Sequence, residues 1–167
     1  MSEATIEGML TSYIRDAHAM EQNVLRMLDS MISTTKDPNI LEDLKHHRQE
    51  TERHEQLLQQ RLDSMGQGST TAAKDIPAIL GAMAKGVADT MRSDKPGKNA
   101  RDAYVTEAME IAAYRLLEQL AERAGDQQTA EIARKNCRDE EAMRDKIDKQ
   151  WGKFIDLTLE EEGINAA

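Results

Sequence analysis

Four segments of the chain repeat an inward face at helical spacing. Leu10, Ile14, Ala17, Glu21, Val24, Leu28 and Met31 advance by steps of 4, 3, 4, 3, 4 and 3, which keeps all of them on one side of an α-helix. A second segment carries His47, Glu50, His54 and Leu57, and a third carries Ala103, Glu107, Glu110, Tyr114, Leu117 and Ala121. The fourth carries Ala133, Cys137, Glu140, Arg144, Ile147, Trp151 and Phe154. The pattern predicts four long helices, the first from near Ser2 to Thr5 as far as about Ser33 and the second from about Pro38 to Met65. The third should run from about Asn99 to Ala124, and the fourth from about Gln127 to Glu162 with an irregularity at Gly152.

The residues between these segments fit the assignment. Asp37 can cap a helix whose first turn tolerates Pro38, and Asp126 can do the same after Gly125 has stopped the third helix. The first and second helices, and likewise the third and fourth, should therefore be antiparallel neighbours joined by short turns. Between Gly66 and Asn99 the connection is too long for a turn. It carries its own apolar stripe, Ile76, Leu80, Met83, Val87 and Met91, which reads as a short amphipathic helix lying along the bundle or at a subunit contact, ended by the run from Ser93 to Gly97. Two hairpins joined by a long crossover predict an all-α four-helix bundle in one domain spanning residues 1–167.

Each of the four stripes contains at least one carboxylate where an apolar residue is expected. Glu and Asp are almost never fully buried without a partner, and an unpaired ionised carboxylate in an apolar interior normally takes up a proton. Four helices each aiming such a group at a common interior point to a bound cation. A weak internal repeat places the same groups together: residues 16–21 align with residues 102–107, and Arg48, Gln49 and Glu50 align with Arg138, Asp139 and Glu140. Glu21, Glu50, Glu107 and Glu140 are thereby set around a pseudo-twofold axis.

Composition narrows the partners. The chain of 167 residues has a net charge of −9 and five aromatic residues, which removes any broad attraction to phosphate backbones and most base stacking. Nucleic acid is excluded as an expected partner. No run of 18 apolar residues occurs and Met1 to Leu10 does not form a leader, so a cytoplasmic protein without membrane association is expected. The single cysteine, Cys137, cannot form an internal disulfide and reads as a small buried hydrophobe.

At these residues the sequence resembles the ferritin-like superfamily, and within it the YciE/YciF-type ferritin-like family of bacterial stress proteins. The resemblance rests on residues 16–22, 50–54, 106–114 and 139–141, and runs from about Tyr13 to Trp151. It implies a carboxylate-bridged centre of two divalent metal ions, iron first and manganese as the alternative, in a homodimer. The implied activity is oxidation of Fe(II) by a small oxidant, oxygen or peroxide, in stress protection. The sequence departs from the superfamily's Glu-x-x-His pattern, because Arg53 and Met143 occupy the histidine positions. His54, one residue further on, can still share the face of Glu50.

The expected metal ligands are therefore Glu21, Glu50, His54, Glu107, Glu110 and Glu140; no catalytic residue can be named. His18 is open between ligand, support and surface residue, and Glu110 between ligand and partner of Arg144. Tyr114 is expected in the core with its hydroxyl on a carboxylate, and His46 in solvent because adjacent helical residues do not share a face. The competing reading is a buried polar network in which Arg144, His54 and tyrosine hydroxyls satisfy the acids without metal. On that reading the chain is a non-enzymatic helical stress or interaction protein with a degenerate site.

Overall fold

A computed structural model describes residues 5–67 and 95–164, which form five α-helices and contain no strand. They are α1 (Ile6–Thr34), α2 (Pro38–Ser64), α3 (Lys95–Arg123), α4 (Gln127–Asp148) and α5 (Trp151–Glu161). The crossover stripe from Ile76 to Met91 lies outside the described residues. Among those residues, no helix is long and apolar enough to cross a membrane.

Capping chemistry sets the helix ends. Thr5 begins α1 by accepting from the Gly8 amide, and Asp37 begins α2 by accepting from the amides of Asn39 and Ile40, satisfying first-turn donors that have no intrahelical partner. α3 ends at Gly125, whose φ of 72° lets the Asp126 amide reach back to the Ala121 carbonyl, the closure that glycine favours. Asp126 then caps α4 and also accepts from Arg61 of α2 at 2.6 Å. One carboxylate thus fixes both the α3–α4 turn and the end of the other hairpin.

Two boundaries differ from the sequence expectation. Lys95, Pro96 and Gly97 open α3 instead of breaking the preceding segment, since Pro lacks only an amide that the first turn cannot use. A Cβ at Gly97 would stand 3.0 Å from Thr158 Oγ1, which accepts from the Gly97 amide, so a larger residue there would require Thr158 to shift. The fourth expected helix is two helices, interrupted at Lys149 and Gln150 rather than at Gly152. Trp151 consequently lies against Tyr104 at the surface, 40% exposed, with its indole donating to Asp148.

α1 packs on α2 and α3 on α4; α1 also meets α3, α2 meets α4, and α5 covers α3. The apolar core falls into two separate clusters. One gathers Leu10, Ile14, Leu58, Tyr114, Leu117 and Ala133, among others, and the second gathers Val24, Leu28, Leu44, Ala103, Met143 and Ile147. In each of the four long helices the residues between these clusters are polar: Glu21 in α1, His47 to His54 in α2, Glu107 and Glu110 in α3, and Glu140 in α4. The core is thus divided by a buried polar layer.

The stripes of α1 and α3 are buried at every expected position. On α2 the buried face is Leu44, His47, Thr51, His54, Leu58 and Leu62, so Glu50 and Leu57 sit at its edge. On α4 the inward residue after Glu140 is Met143; Arg144 turns outward to pair with Asp145 at 2.8 Å. Arg144 is therefore no partner for Glu110 or Glu140.

Candidate metal centre

The polar layer holds four carboxylates and two imidazoles with almost no solvent contact. Glu21, Glu107, Glu110 and Glu140 are 0% exposed and His47 and His54 are 1% exposed. Two sets of ligand-type atoms converge, with the atoms of each set within 4.8 Å of one another: His47, Glu107, Glu110 and Glu140, and separately Glu21, His54 and Glu140. Glu140 belongs to both. Its Oε2 lies 3.4 Å from His47 Nε2 and its Oε1 lies 2.9 Å from His54 Nδ1, so its two oxygens face different halves of the layer. A bridging carboxylate has that disposition.

Of the expected ligands, the structure brings five together and leaves Glu50 at the margin. Glu50 is partly exposed, and its Oε2 lies 3.3 Å from His47 Nδ1. It backs an imidazole whose other nitrogen faces Glu107 at 3.3 Å. His47 is the residue that sequence reasoning left without a role. The signal was present, since His47 and His54 are seven residues apart on one stripe and two helical turns restore the same face. Asp139, also without an assigned role, stands behind His54 with Oδ2 3.1 Å from Nε2.

The remaining positions divide cleanly. Tyr114 donates its hydroxyl to Glu21 Oε1 and accepts from Asn136 Nδ2 at 3.0 Å, as expected for a core tyrosine orienting a carboxylate. His18 lies outside the layer, 2.8 Å from Glu55. His46 is exposed, Arg53 is at the surface, and Cys137 is buried with its thiol toward the Ile111 carbonyl.

The layer is not satisfied by its own contacts. Both oxygens of Glu107, Glu110 and Glu140, Glu21 Oε2, His47 Nε2 and His54 Nδ1 lack a hydrogen-bond partner. Several are close in distance but off the hydrogen-bonding direction, and among the described residues no Lys or Arg forms an ion pair with the four carboxylates. Orphaned buried acceptors at this density are costly.

The protonation pattern follows. Burial, then the charge of Glu140, pushes the Glu21 carboxyl up to about 8. Burial pushes Glu107 up to about 7 against the favourable pull of His47, and burial with the charges of Glu140, Glu21 and Glu107 pushes Glu110 well above the usual range. For the imidazoles burial acts downward. It is outweighed at His47 by Glu107 and Glu50, and at His54 by Glu140 and Glu21, so both are raised. Without a cation the layer holds protons it would release to one.

The donor set fits a pair of divalent ions. Four carboxylates carry the charge that two dications neutralise, and imidazole with carboxylate suits iron, manganese or zinc better than magnesium or calcium alone. Each half would receive one imidazole, and the two halves meet at a shared Glu140.

Comparison with other proteins adds a family and a fold. A family described as Domain of unknown function (DUF892) matches residues 5–159. A crystal structure of a protein from Xanthomonas campestris pv. campestris is 26% identical, with a TM-score of 0.79 over 96% of this chain and 100% of that one. YcfI from Rhodopseudomonas palustris is 25% identical, with a TM-score of 0.78 over 89% and 97%. The E. coli stress protein YciF is 19% identical, with a TM-score of 0.77 over 93% and 99%, a likeness of fold.

Proposed function

The chain belongs to the DUF892 family, and we propose that it is a ferritin-like four-helix bundle whose polar layer binds two divalent metal ions, iron or manganese. The observation that carries this reading is the shared Glu140, aimed both ways between two sets of buried atoms that have no other partner. The ligands are His47, Glu107, Glu110 and Glu140 for one ion and Glu21, His54 and Glu140 for the other. When bound, a pair of Fe(II) ions supplies two electrons, the number that takes oxygen to peroxide or peroxide to water.

The chain's own residues would hold this chemistry in a dry site. Tyr114 and Asn136 fix Glu21, while the apolar clusters on both sides exclude water, which strengthens every charge interaction between them. The proposed role is oxidation of Fe(II) by oxygen or peroxide in stress protection, in a homodimer.

A metal-free interaction protein is the second reading, favoured by the Tyr114 hydroxyl, which satisfies one oxygen of Glu21 without a cation. Elemental analysis of protein purified without chelator separates the two. About two equivalents of Fe or Mn per chain are expected, and anaerobically loaded Fe(II) should be oxidised on adding oxygen or peroxide faster than in Glu140→Ala. Absence of metal, with stability unchanged by chelator, would overturn the metal reading in favour of the second.

A further inference from the structure

The two histidines of the layer present opposite nitrogens to it. His47 offers Nε2 and has Glu50 behind Nδ1 at 3.3 Å, whereas His54 offers Nδ1 and has Asp139 behind Nε2 at 3.1 Å. The two inward nitrogens are buried without a hydrogen-bond donor or acceptor in suitable direction, and the two outward ones each meet a carboxylate that belongs to neither converging set. A carboxylate accepts from a ring N–H and cannot donate to a ring nitrogen. It therefore holds the ring proton on its own side and leaves the lone pair on the other.

We infer that Glu50 and Asp139 are positioning residues that lock His47 as the Nδ1–H tautomer and His54 as the Nε2–H tautomer, so that each metal position receives one imidazole lone pair. The ligand role of the two rings rests on the metal reading above; the tautomers do not. Glu50 acts from within α2, three residues from His47, whereas Asp139 reaches His54 from α4. The His54 half is thus assembled only when α2 and α4 are docked. The layer needs no histidine from α4 itself, which accounts for Met143 in the position where the superfamily pattern expects one.

The test reads tautomers and metal separately. In full-length metal-free protein labelled with ¹⁵N at histidine, at a pH where both rings are neutral, long-range ¹H–¹⁵N correlations should show Nδ1–H for His47 and Nε2–H for His54. The Nδ1–H form is the informative one, because a free imidazole prefers the other. Glu50→Gln should remove that form at His47 and leave His54 unchanged, and Asp139→Asn should do the reverse; Asp139→Glu should restore the wild-type pattern at His54. In Zn(II) titrations each amide variant should weaken one of two binding steps by roughly 10- to 100-fold, the usual cost of losing a group that orients a ligand. His47 and His54 both as Nε2–H, or amide variants with unchanged tautomers, would overturn the inference. If wild-type protein took up no Zn(II), Mn(II) or Fe(II) while showing the expected tautomers, the metal reading would fail and the positioning of the rings would stand.

Discussion

The two halves of the polar layer differ in how far the protein alone can satisfy them. In the His54 half, Glu21 accepts from the Tyr114 hydroxyl, which is itself held by Asn136. In the His47 half, Glu107 and Glu110 have four oxygens with no hydrogen-bond partner at all, and Glu110 has no ion pair with any described residue. Hydrogen bonding satisfies one carboxylate oxygen of the first half and none of Glu107 or Glu110 in the second. The more carboxylate-rich half therefore argues most strongly for a cation, and substitutions there should behave differently from those beside Tyr114.

The largest effect should come from pH and metal together. In metal-free protein, Glu21 at about 8 and Glu107 at about 7 keep protons that the unfolded chain gives up near the ordinary value of 4.5. A raised native value means that stability is fully present below the unfolded value and is lost as pH rises through the native one. The raised His47 and His54 act in the same direction above 6.5. The lowered Asp37, Glu50 and Asp126 have completed their opposite contribution by about pH 5. Urea denaturation of chelated protein should show stability falling by on the order of 3 kcal/mol between about pH 5 and pH 8. With Mn(II) in excess the slope should flatten or reverse, since the ions displace those protons. A metal-free profile that rises over this range would break the account.

Glu110→Leu sharpens the comparison next. Replacing an unpartnered buried acid by an apolar residue of similar volume should stabilise the chelated protein by roughly 2 kcal/mol at neutral pH while lowering affinity at one metal step. Glu21→Leu should gain less, because it leaves the buried Tyr114 hydroxyl without the acceptor for its proton. Equal gains by urea denaturation would show that the two halves do not differ in this way. The smallest effect belongs to Tyr114→Phe, which should cost about 1 kcal/mol in chelated protein through the lost donor to Glu21 and leave metal stoichiometry unchanged. A loss of one metal equivalent would move Tyr114 from orienting a ligand to being one.

How much of this was legible in the sequence varies by helix for a physical reason. The stripes of α1 and α3 were correct at every position because each polar residue is flanked on the same face by apolar ones, such as Leu10 to Ala17 before Glu21 and Leu117 to Ala121 after Tyr114. The middle of α2 offers His46, His47, Glu50, Glu52, His54 and Glu55 with few apolar markers, so spacing alone could not choose between Glu50 and Thr51 or between Leu57 and Leu58. Structure settles the register through Leu44, Leu58 and Leu62. Arg144 was placed inward by a step of four from Glu140 where the buried face takes a step of three, and Trp151 because the irregularity was expected at Gly152. The inward position one turn after Glu140 belongs to Met143, and the interruption at Lys149 and Gln150 turns Trp151 to the surface. Glu21, Glu107, Glu110, Glu140, His54 and the inward position of His47 could be found from spacing, whereas Asp139 needed the packing of α2 on α4.

Equilibrium dialysis of chelator-treated protein against Mn(II) tests the central claim most directly, with Glu140→Ala and the exposed-side control Glu141→Ala alongside. Glu141 pairs with Arg115 at the surface, so its loss should leave binding intact. The account predicts about two equivalents per chain in the wild type and in Glu141→Ala, and loss of both in Glu140→Ala because that carboxylate serves both ions. No uptake by the wild type, or uptake that Glu140→Ala leaves unchanged, would contradict it.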